Sequence, residues 1–584
     1  MESKTRDVYE KLVELAKRRG FFWPSYEIYG GVAGFYDLGP FGTLLKRRIE
    51  EKWRTWFIKK HQEYIVEIET PVIAPEKVFI ASGHVESFTD PIVECMSCKR
   101  IFRADHLIEE MLGISVEGLT SDELTKIIVE KDIRCPACKG TLSKVKVFNL
   151  LFKTTIGPYR ESVGYLRPEA AQGMFTAFKR VYEAMRAKLP IGIAQIGRVA
   201  RNEISPRQGM IRLREFTIME FEFFFDPDDP SCPLLDRVTD TKLRILTCEA
   251  RMRGEKKPEE FTIEEAVREK IIIMPWLAYW MAVARDFVHD LGVPYDKMFF
   301  IEKLPHERAH YAQQTFDQLV AVSRWGYVEV SGHAYRTDYD LSRHMKFSGQ
   351  DLRVFKAYEK PVIVKKKKIV VNKAKIGKDY GSKLYEIIKY VNELKPEEVE
   401  ESLRSKGYVE LPIGVKLTKE HLSIVEVEEK VTGKHFIPHV VEPSFGAERL
   451  FYVTLEYAYR ERGDRVILSL PRDLAPIQVA VFPLLSKPEF IAKAKDVYRI
   501  LINAGFYVLY DESGSIGRRY ARADEIGVPA CITVDHQTLK DNTVTVRDRD
   551  TWKQVRVPVN ELVGKLYDFI YRKKDISELG TLVK

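Results

Sequence analysis

Arg214, Phe216, Ile218, Glu220 and Glu222 share parity along a stretch of β-formers, so as a strand they emerge on one face, two carboxylates and a guanidinium among them. Upstream, Arg201 and Glu203 are again two apart on what reads as the opposing strand. Burying such groups costs several kcal/mol unless something charged binds there, whereas on an exposed hairpin they make only a salt-bridge network. A second chemistry is carried by sulfur. Cys95-x-x-Cys98 and Cys135-x-x-Cys138 have the spacing of two metal knuckles, and four thiolates complete a tetrahedral zinc site with no open position, hence a structural one. Reduced buried thiols are the alternative. Cys232, Cys248 and Cys531 show no comparable pattern and read as core residues. His435 and His439 are four apart, but Pro438 argues against the helix that would align both imidazoles on a metal.

The elements that must position these groups follow from periodicity. Leu44 to Phe57 places Leu45, Ile49, Trp53 and Trp56 on one helical stripe, and a strand-like Tyr64 to Thr70 follows, ending at Pro71. A strand-turn-strand pattern runs from Ile191 to Phe225 around the polar loop Ser205-Pro-Arg-Gln-Gly209. The apolar run Ile271 to Ala284 is shorter than the ~20 residues of a membrane span and carries Pro275, so it reads as a buried helix. From Phe347 to Ile424 the composition changes, with lysines at 365–368 and a helix near Pro396 to Ser405, as in an inserted module. The lysine run suits phosphate contact as well as a solvated loop. Strand, helix, strand, basic helix and strand then alternate between Gln478 and Val534, which predicts a separate α/β domain.

With 584 residues, the chain exceeds what one core organises. Its 45% hydrophobic and 30% charged content is that of folded domains, and a net charge of +8 suits a polyanionic partner without identifying RNA. Met1 to Gly20 has no continuous apolar stretch, so no signal peptide or membrane anchor is expected. Paired CxxC cysteines point to a reducing compartment, the cytoplasm. Neither a GxxxxGK[ST] loop nor a dinucleotide GxGxxG fingerprint is present.

Arg201-Asn-Glu203, followed by Arg212-Leu-Arg-Glu-Phe216, resembles motif 2 of class II aminoacyl-tRNA synthetases. The helix and strand before Pro71 resemble motif 1, and Glu442-Pro-Ser-Phe-Gly-Ala-Glu-Arg449 resembles motif 3. The glycyl type is singled out by Gly34-Phe-Tyr-Asp-Leu-Gly-Pro40, Phe102-Arg-Ala-Asp-His-Leu-Ile-Glu109, Arg167-Pro-Glu-Ala-Ala-Gln-Gly173 and His333-Ala-Tyr-Arg-Thr-Asp338. Ile516 to Pro529 resembles the anticodon-binding domain shared by the glycyl, histidyl, prolyl and threonyl enzymes. The resemblance runs through nearly the whole chain. It implies an α+β fold: a class II antiparallel sheet flanked by helices (1–94 with motif 1, 146–346 with motif 2, 425–470 with motif 3), a zinc-binding insertion (95–145), a second inserted module (347–424) and a C-terminal α/β anticodon-binding domain (471–584).

The resemblance also implies a site and a reaction: ATP and glycine form glycyl-adenylate, and glycine passes to the 3′ end of tRNA(Gly). Arg201, Glu203 and Arg449 are its catalytic residues. Arg201 neutralises the α-phosphate, where an arginine fork holds oxygens better than an ammonium does, and Arg449 clamps the γ-phosphate. Phe216 stacks on adenine while Glu203 accepts from its amino group. Glu329 contacts nucleotide or Mg2+, and Asn202, Ile211, Arg212, Arg214, Val330 and Gly446 complete the ATP site. Glycine falls to Arg103, Glu169, Phe216, Glu220, Arg336, Glu442 and Ser444. One departure stands in motif 3, where Glu448 occupies the place of a common second glycine. The family implies a homodimer through motif 1. Proline or threonine specificity, or a catalytically silent binding subunit, are the rivals.

Overall fold

The computed structural model describes residues 7–583 except 115, 117, 160 and 207, the last of them in the polar loop of the hairpin. It divides into two compact units, Met1–Leu352 with Pro438–Lys584, and Arg353–Ile437.

The first unit is built on a nine-stranded sheet. In chain order its strands are β1 (Ile65–Glu67), β2 (Ile191–Ala200), β3 (Glu215–Phe225), β4 (Lys242–Leu246), β5 (Glu259–Thr262), β6 (Met298–Glu302), β7 (Gln314–Val322), β8 (Gly326–Thr337) and β9 (His439–Gly446). They lie in the order β5-β4-β6-β7-β8-β9-β3-β2-β1, antiparallel except for the β1–β2 and β4–β6 pairs. Five helices matter to the site: α1 (Pro40–Trp53), α2 (Ala171–Ala184), α3 (Pro275–Asp290), α4 (Tyr339–Ser348) and α5 (Ala447–Ala458).

Alternation along β3 decides what each sheet face is made of. Met219, Phe221, Phe223 and Phe225 enter the main hydrophobic core with Trp276 and Trp280 of α3 and Leu450 and Phe451 of α5. Glu220 and Glu222 must then point the other way, where Phe175 and Phe178 of α2 pack on Phe224. Leu45, Ile49 and Trp53 of α1 are buried in the same core, but Phe57, not Trp56, completes the stripe. The reason is a wider π-type turn over Arg54–Ile58, which shifts the phase by one residue. Trp56 instead donates its indole N–H to Asp290 (3.1 Å) under the Lys60 ammonium. α3 starts with Pro275 in its first turn, where a missing N–H costs nothing, and Trp276 to Ala284 are all buried. Among the described residues no helix is long and apolar enough to cross a membrane.

C-terminal to α5 a six-stranded sheet follows. Val479–Pro483 pairs in parallel with Val508–Tyr510 and Ala530–Val534, and Thr543–Asp548, Gln554–Pro558 and Thr581–Leu582 extend it antiparallel. In its helix Ile516–Ile526, Arg519 is buried on the carbonyls of Glu512 and Gly514 (both 2.8 Å) and Arg522 pairs with Asp511 (2.5 Å). Two arginines of the expected basic helix therefore hold a loop of their own domain.

The second unit is a long hairpin, Val354–Val371 with Leu422–Phe436, carrying Lys373–Tyr380, Leu384–Glu393 and Pro396–Ser405 as helices. Ile376, Ile387, Val391 and Val399 form its own core. The lysine run lies within the hairpin, and three of its members are paired: Lys366 with Glu429 (3.3 Å), Lys367 with Glu400 (2.5 Å) and Lys368 with Glu429 (4.0 Å). His435 packs on Phe355 in this unit, while His439 is hydrogen-bonded to the Tyr335 hydroxyl in the other.

Candidate active site and metal centre

Arg201 and Glu203 do not lie on the opposing strand. β2 ends at Ala200, and the chain then turns, with Arg201 N–H donating to Arg214 O, Asn202 N–H to Leu150 O and Glu203 N–H to Arg201 O. This turn delivers Arg201 and Glu203 to the rim of a cleft of about 610 Å³, open to solvent. Ile211, Arg212, Phe216, Glu329, Val330, Ser444, Gly446, Glu448 and Arg449 line it as well.

Three arginines of the cleft are held differently. Among the described residues the Arg201 side chain donates only its Nε–H, to Pro168 O (3.1 Å), its guanidinium standing 5.3 Å from the centre of the Phe216 ring. Among the described residues no carboxylate pairs with it. Arg212 grips Glu203 (2.7 Å). Arg449 donates to Ile211 O and Glu329 O (2.9 Å each) and pairs with the Glu329 carboxylate (3.0 Å). Beyond Glu329, Asp317 pairs with Lys303 (2.6 Å); burial, and then the Glu329 charge, push Asp317 up to about 7.

Glu448 explains itself at the start of α5. Its buried carboxylate accepts from Thr217 N–H (2.7 Å) and faces Arg198 (3.3 Å) and Lys46 (3.5 Å). The side chain where a glycine is common thus ties α5, and Arg449 with it, to β3, β2 and α1. An acidic first-turn residue is also favoured by the helix dipole.

Behind the cleft lies a buried acidic cluster. Ser444 joins the two, lining the cleft while its hydroxyl donates to Glu220 (2.9 Å). Glu220 also accepts from Ala170 N–H (2.6 Å); burial and then Glu169 push its pKa up. Gln172 donates to Glu169 and to Asp340 (2.8 Å each), its own oxygen bonded to His344. Arg336, fully buried at a register shift between β8 and β9, donates to both oxygens of Asp340 (2.9 and 3.0 Å) and to Glu442 (2.9 Å), with Glu169 at 3.6 Å. The bulge turns this side chain into the cluster. Tyr311 stacks on the guanidinium at 3.7 Å. Burial pushes Glu169 up, but His84 (3.5 Å) and Arg336 outweigh it and hold Glu169 below the ordinary carboxylate range.

Two expected ligands are engaged elsewhere. Arg103 pairs with Asp90 (3.1 Å) and Asp105 (2.5 Å) and lines a neighbouring hollow of about 780 Å³ with His106, Glu110, Pro136, Glu203 and Arg212. Among the described residues no ion pair joins it to Glu169, Glu220 or Glu442. Arg214 donates to the carbonyls of Ala33 (2.7 Å), Glu203 (2.9 Å) and Ile204 (3.4 Å), so it braces the turn that presents Glu203. Asn202 contributes to the same turn through its backbone. His84, Gln172 and Asp340 were not singled out from the sequence. Gln172 sits in the string Arg167 to Gly173, and Asp340 is four residues past Arg336, which is the only local signal for either. Gly173 shows why that string is rigid: a Cβ there would meet Thr70 Oγ1 at 2.1 Å.

The four knuckle cysteines converge. Their Sγ atoms all lie within 4.8 Å of one another, with Cys95–Cys138 at 3.5 Å and Cys98–Cys135 at 3.7 Å. A tetrahedral Zn–S bond of about 2.3 Å requires sulfurs about 3.8 Å apart, so the residues fit zinc. Both knuckles use the same backbone device, a left-handed lysine (Lys99, φ 59°; Lys139, φ 60°) whose N–H returns to the first cysteine carbonyl. Extracting zinc with a chelator is expected to lower Tm by about 5 °C or more, and Cys135→Ser to reproduce the shift. Metal analysis of the purified protein alongside calorimetry checks this, and a metal-free protein of unchanged Tm rules zinc out.

An antiparallel sheet that carries arginines and carboxylates around one cleft, with a six-stranded α/β domain after it, is the architecture of a class II aminoacyl-tRNA synthetase, and residues 478–568 match the anticodon binding domain family. The chain is 63% identical to a glycine–tRNA ligase of Aeropyrum pernix over 581 residues, 99% of each chain. It is 51% identical to that of Pyrococcus furiosus (97% of this chain, 99% of the relative) and 46% to that of Methanocaldococcus jannaschii (96% and 99%). A prolyl-tRNA synthetase structure from Cryptosporidium parvum with L-proline and AMP gives a TM-score of 0.49 at 13% identity, covering 96% of this chain and 75% of that one. The chain belongs to the glycine–tRNA ligases, enzymes that join glycine to tRNA.

Proposed function

We propose that the cleft binds ATP and the acidic cluster binds the glycine ammonium, the two meeting at Ser444. The observation that carries this reading is the Ser444–Glu220 hydrogen bond, which makes one wall common to a cation-lined cleft and a carboxylate-lined pocket. Arg201, paired with no carboxylate among the described residues, meets the α-phosphate as the glycine carboxylate attacks in line and pyrophosphate leaves; Arg449 takes the γ-phosphate, Phe216 the adenine face and Glu203 the adenine amino group. In the second step the tRNA 3′-hydroxyl attacks the adenylate carbonyl and AMP leaves. No dedicated general base is required when orientation and charge supply the stabilisation. Glu329, an oxygen ligand at the cleft rim, suits Mg2+, which takes one or two carboxylates along with substrate phosphates and would neutralise phosphate charge. Glu169, Glu220 and Glu442 surround the ammonium, and the packed walls reject any larger amino acid by clash.

Glu220→Gln tests the pocket. Glycine KM in pyrophosphate exchange is expected to rise by about 10- to 100-fold with ATP KM nearly constant, since a charge-assisted contact to the ammonium is lost. An unchanged glycine KM, or an equal rise for ATP, sinks the reading. It extends to a cytoplasmic homodimer acting on tRNA(Gly). The α1 stripe is used up in the chain's own core, but Tyr26, Ile28, Tyr29 and Val32 form an exposed apolar turn (57, 88, 83 and 47%) suited to a second copy, which sedimentation of the purified chain decides.

A further inference from the structure

Glu222 has no part in the chemistry above, yet it is the most isolated charge-bearing group in the acidic cluster. It is 0% exposed, and among the described residues neither carboxylate oxygen has a hydrogen-bond partner. It stands two residues from Glu220 on the same face of β3. The β3–β9 register, with Glu220 opposite Ser444 and Phe223 opposite Val441, sets it across from Glu442. The charged groups facing it are Glu442 from β9, Arg336 from β8, Glu220 from its own strand and Asp340 from α4; Asp340 also accepts from Gln172 of α2, and Glu169, just before α2, stands 3.6 Å from the same Arg336. Five carboxylates thus face one guanidinium, and Asp340 already takes two of its N–H groups. A buried carboxylate with no donor favours the neutral acid over the charged form.

We propose that Glu222 and Glu442 keep at least one proton between them while the pocket is empty and release one when the glycine ammonium enters, so that glycine binding is proton-linked. The O–H bond of the carboxylic acid breaks and the proton goes to solvent; the ammonium keeps its own protons and nothing is oxidised or reduced. Burial and repulsion within the cluster favour protons on the pair: burial and then Glu442 push Glu222 well above the carboxylate range, and burial with Glu220 and Glu169 pushes Glu442, despite Arg336, up to about 8. An arriving positive charge reverses that balance. The sign follows. Affinity for glycine is greatest above the empty pair's titration range and falls as pH drops, because each binding event must then displace the proton. The inference rests on the glycine pocket proposed above.

Calorimetric titration of glycine into the full-length protein with a non-hydrolysable ATP analogue, in two buffers of different ionisation enthalpy at about pH 7, is expected to report release of about one proton per glycine. In pyrophosphate exchange, glycine KM of the wild type should fall as pH rises from about 6 to about 8, by up to about 10-fold per pH unit, while ATP KM does not follow. Glu222→Gln, neutral at every pH, should lose most of that slope. Glycine binding with no proton released overturns the proposal even if the variant cannot be made, and so does a Glu222→Gln slope equal to the wild type's. The Glu220→Gln result separates the two ideas: if it leaves glycine KM untouched the pocket assignment fails, and if it raises KM while the wild type releases no proton, only the proton linkage fails.

Discussion

Arg201→Ala is expected to lower glycine-dependent pyrophosphate exchange by about 10³-fold or more, with an unfolding transition close to that of the wild type. The size follows from what Arg201 lacks. Among the described residues the one hydrogen bond of its side chain goes to a backbone carbonyl and no carboxylate ion-pairs with it, so in the proposed site its charge is available to the phosphate that gains charge in the first step. The fold should tolerate the loss because Arg201 lies outside the ladder, past the end of β2. Arg201→Lys should fall between the two, keeping the charge but not the planar fork. Exchange assays with circular dichroism melts check both variants. Retention of more than about a tenth of wild-type exchange by the alanine variant contradicts the assignment.

Arg336→Met should act on stability as strongly as on function. The wild-type guanidinium is fully buried among Asp340, Glu442 and Glu169 and beneath Tyr311. Removing one partner of such a group leaves uncompensated buried charge, which costs about 3–5 kcal/mol. The deficit must also depend on pH. Without Arg336 the cluster carboxylates gain protons more readily when folded than their unfolded value of about 4.3, so the folded state binds more protons than the unfolded one. That proton binding stabilises the variant at low pH and is lost as pH rises through the raised values. The Tm gap to the wild type should therefore be smaller near pH 5 than near pH 8, as scanning calorimetry can measure. A gap that stays the same across this range contradicts the charge argument and leaves only a packing defect.

Part of the framework around the cleft is legible in the sequence, for particular reasons. Parity along Glu215–Phe225 depends on local geometry alone, so the separation of aromatic from acidic residues on that strand was legible, as were the two knuckles and the helix Pro396–Ser405. Residues whose role depends on where a strand stops were not. Arg201 and Glu203 fit the alternation of β2 but lie beyond it, because Asn202 finds Leu150 instead of a ladder partner. Arg103 and Arg214 matched a family pattern by position while their guanidinium groups are taken by Asp90, Asp105 and three backbone carbonyls. The lysine run suits phosphate contact or a solvated loop in the sequence, but the hairpin sets Glu429 beside Lys366 and the helix Pro396–Ser405 sets Glu400 beside Lys367.

By itself the sequence determined which side chains share a face, which cysteines form knuckles, and the family to which the motifs belong, since each depends on spacing within a few residues. Only the tertiary structure decided that Glu222 stands opposite Glu442 across 220 positions of chain, that Arg336 serves Asp340, Glu442 and Glu169 at once, and that Ser444 joins the cleft to the acidic cluster. The physical reason is that a buried charge has the properties of its neighbours, and those neighbours arrive from strands and helices whose pairing no local pattern specifies.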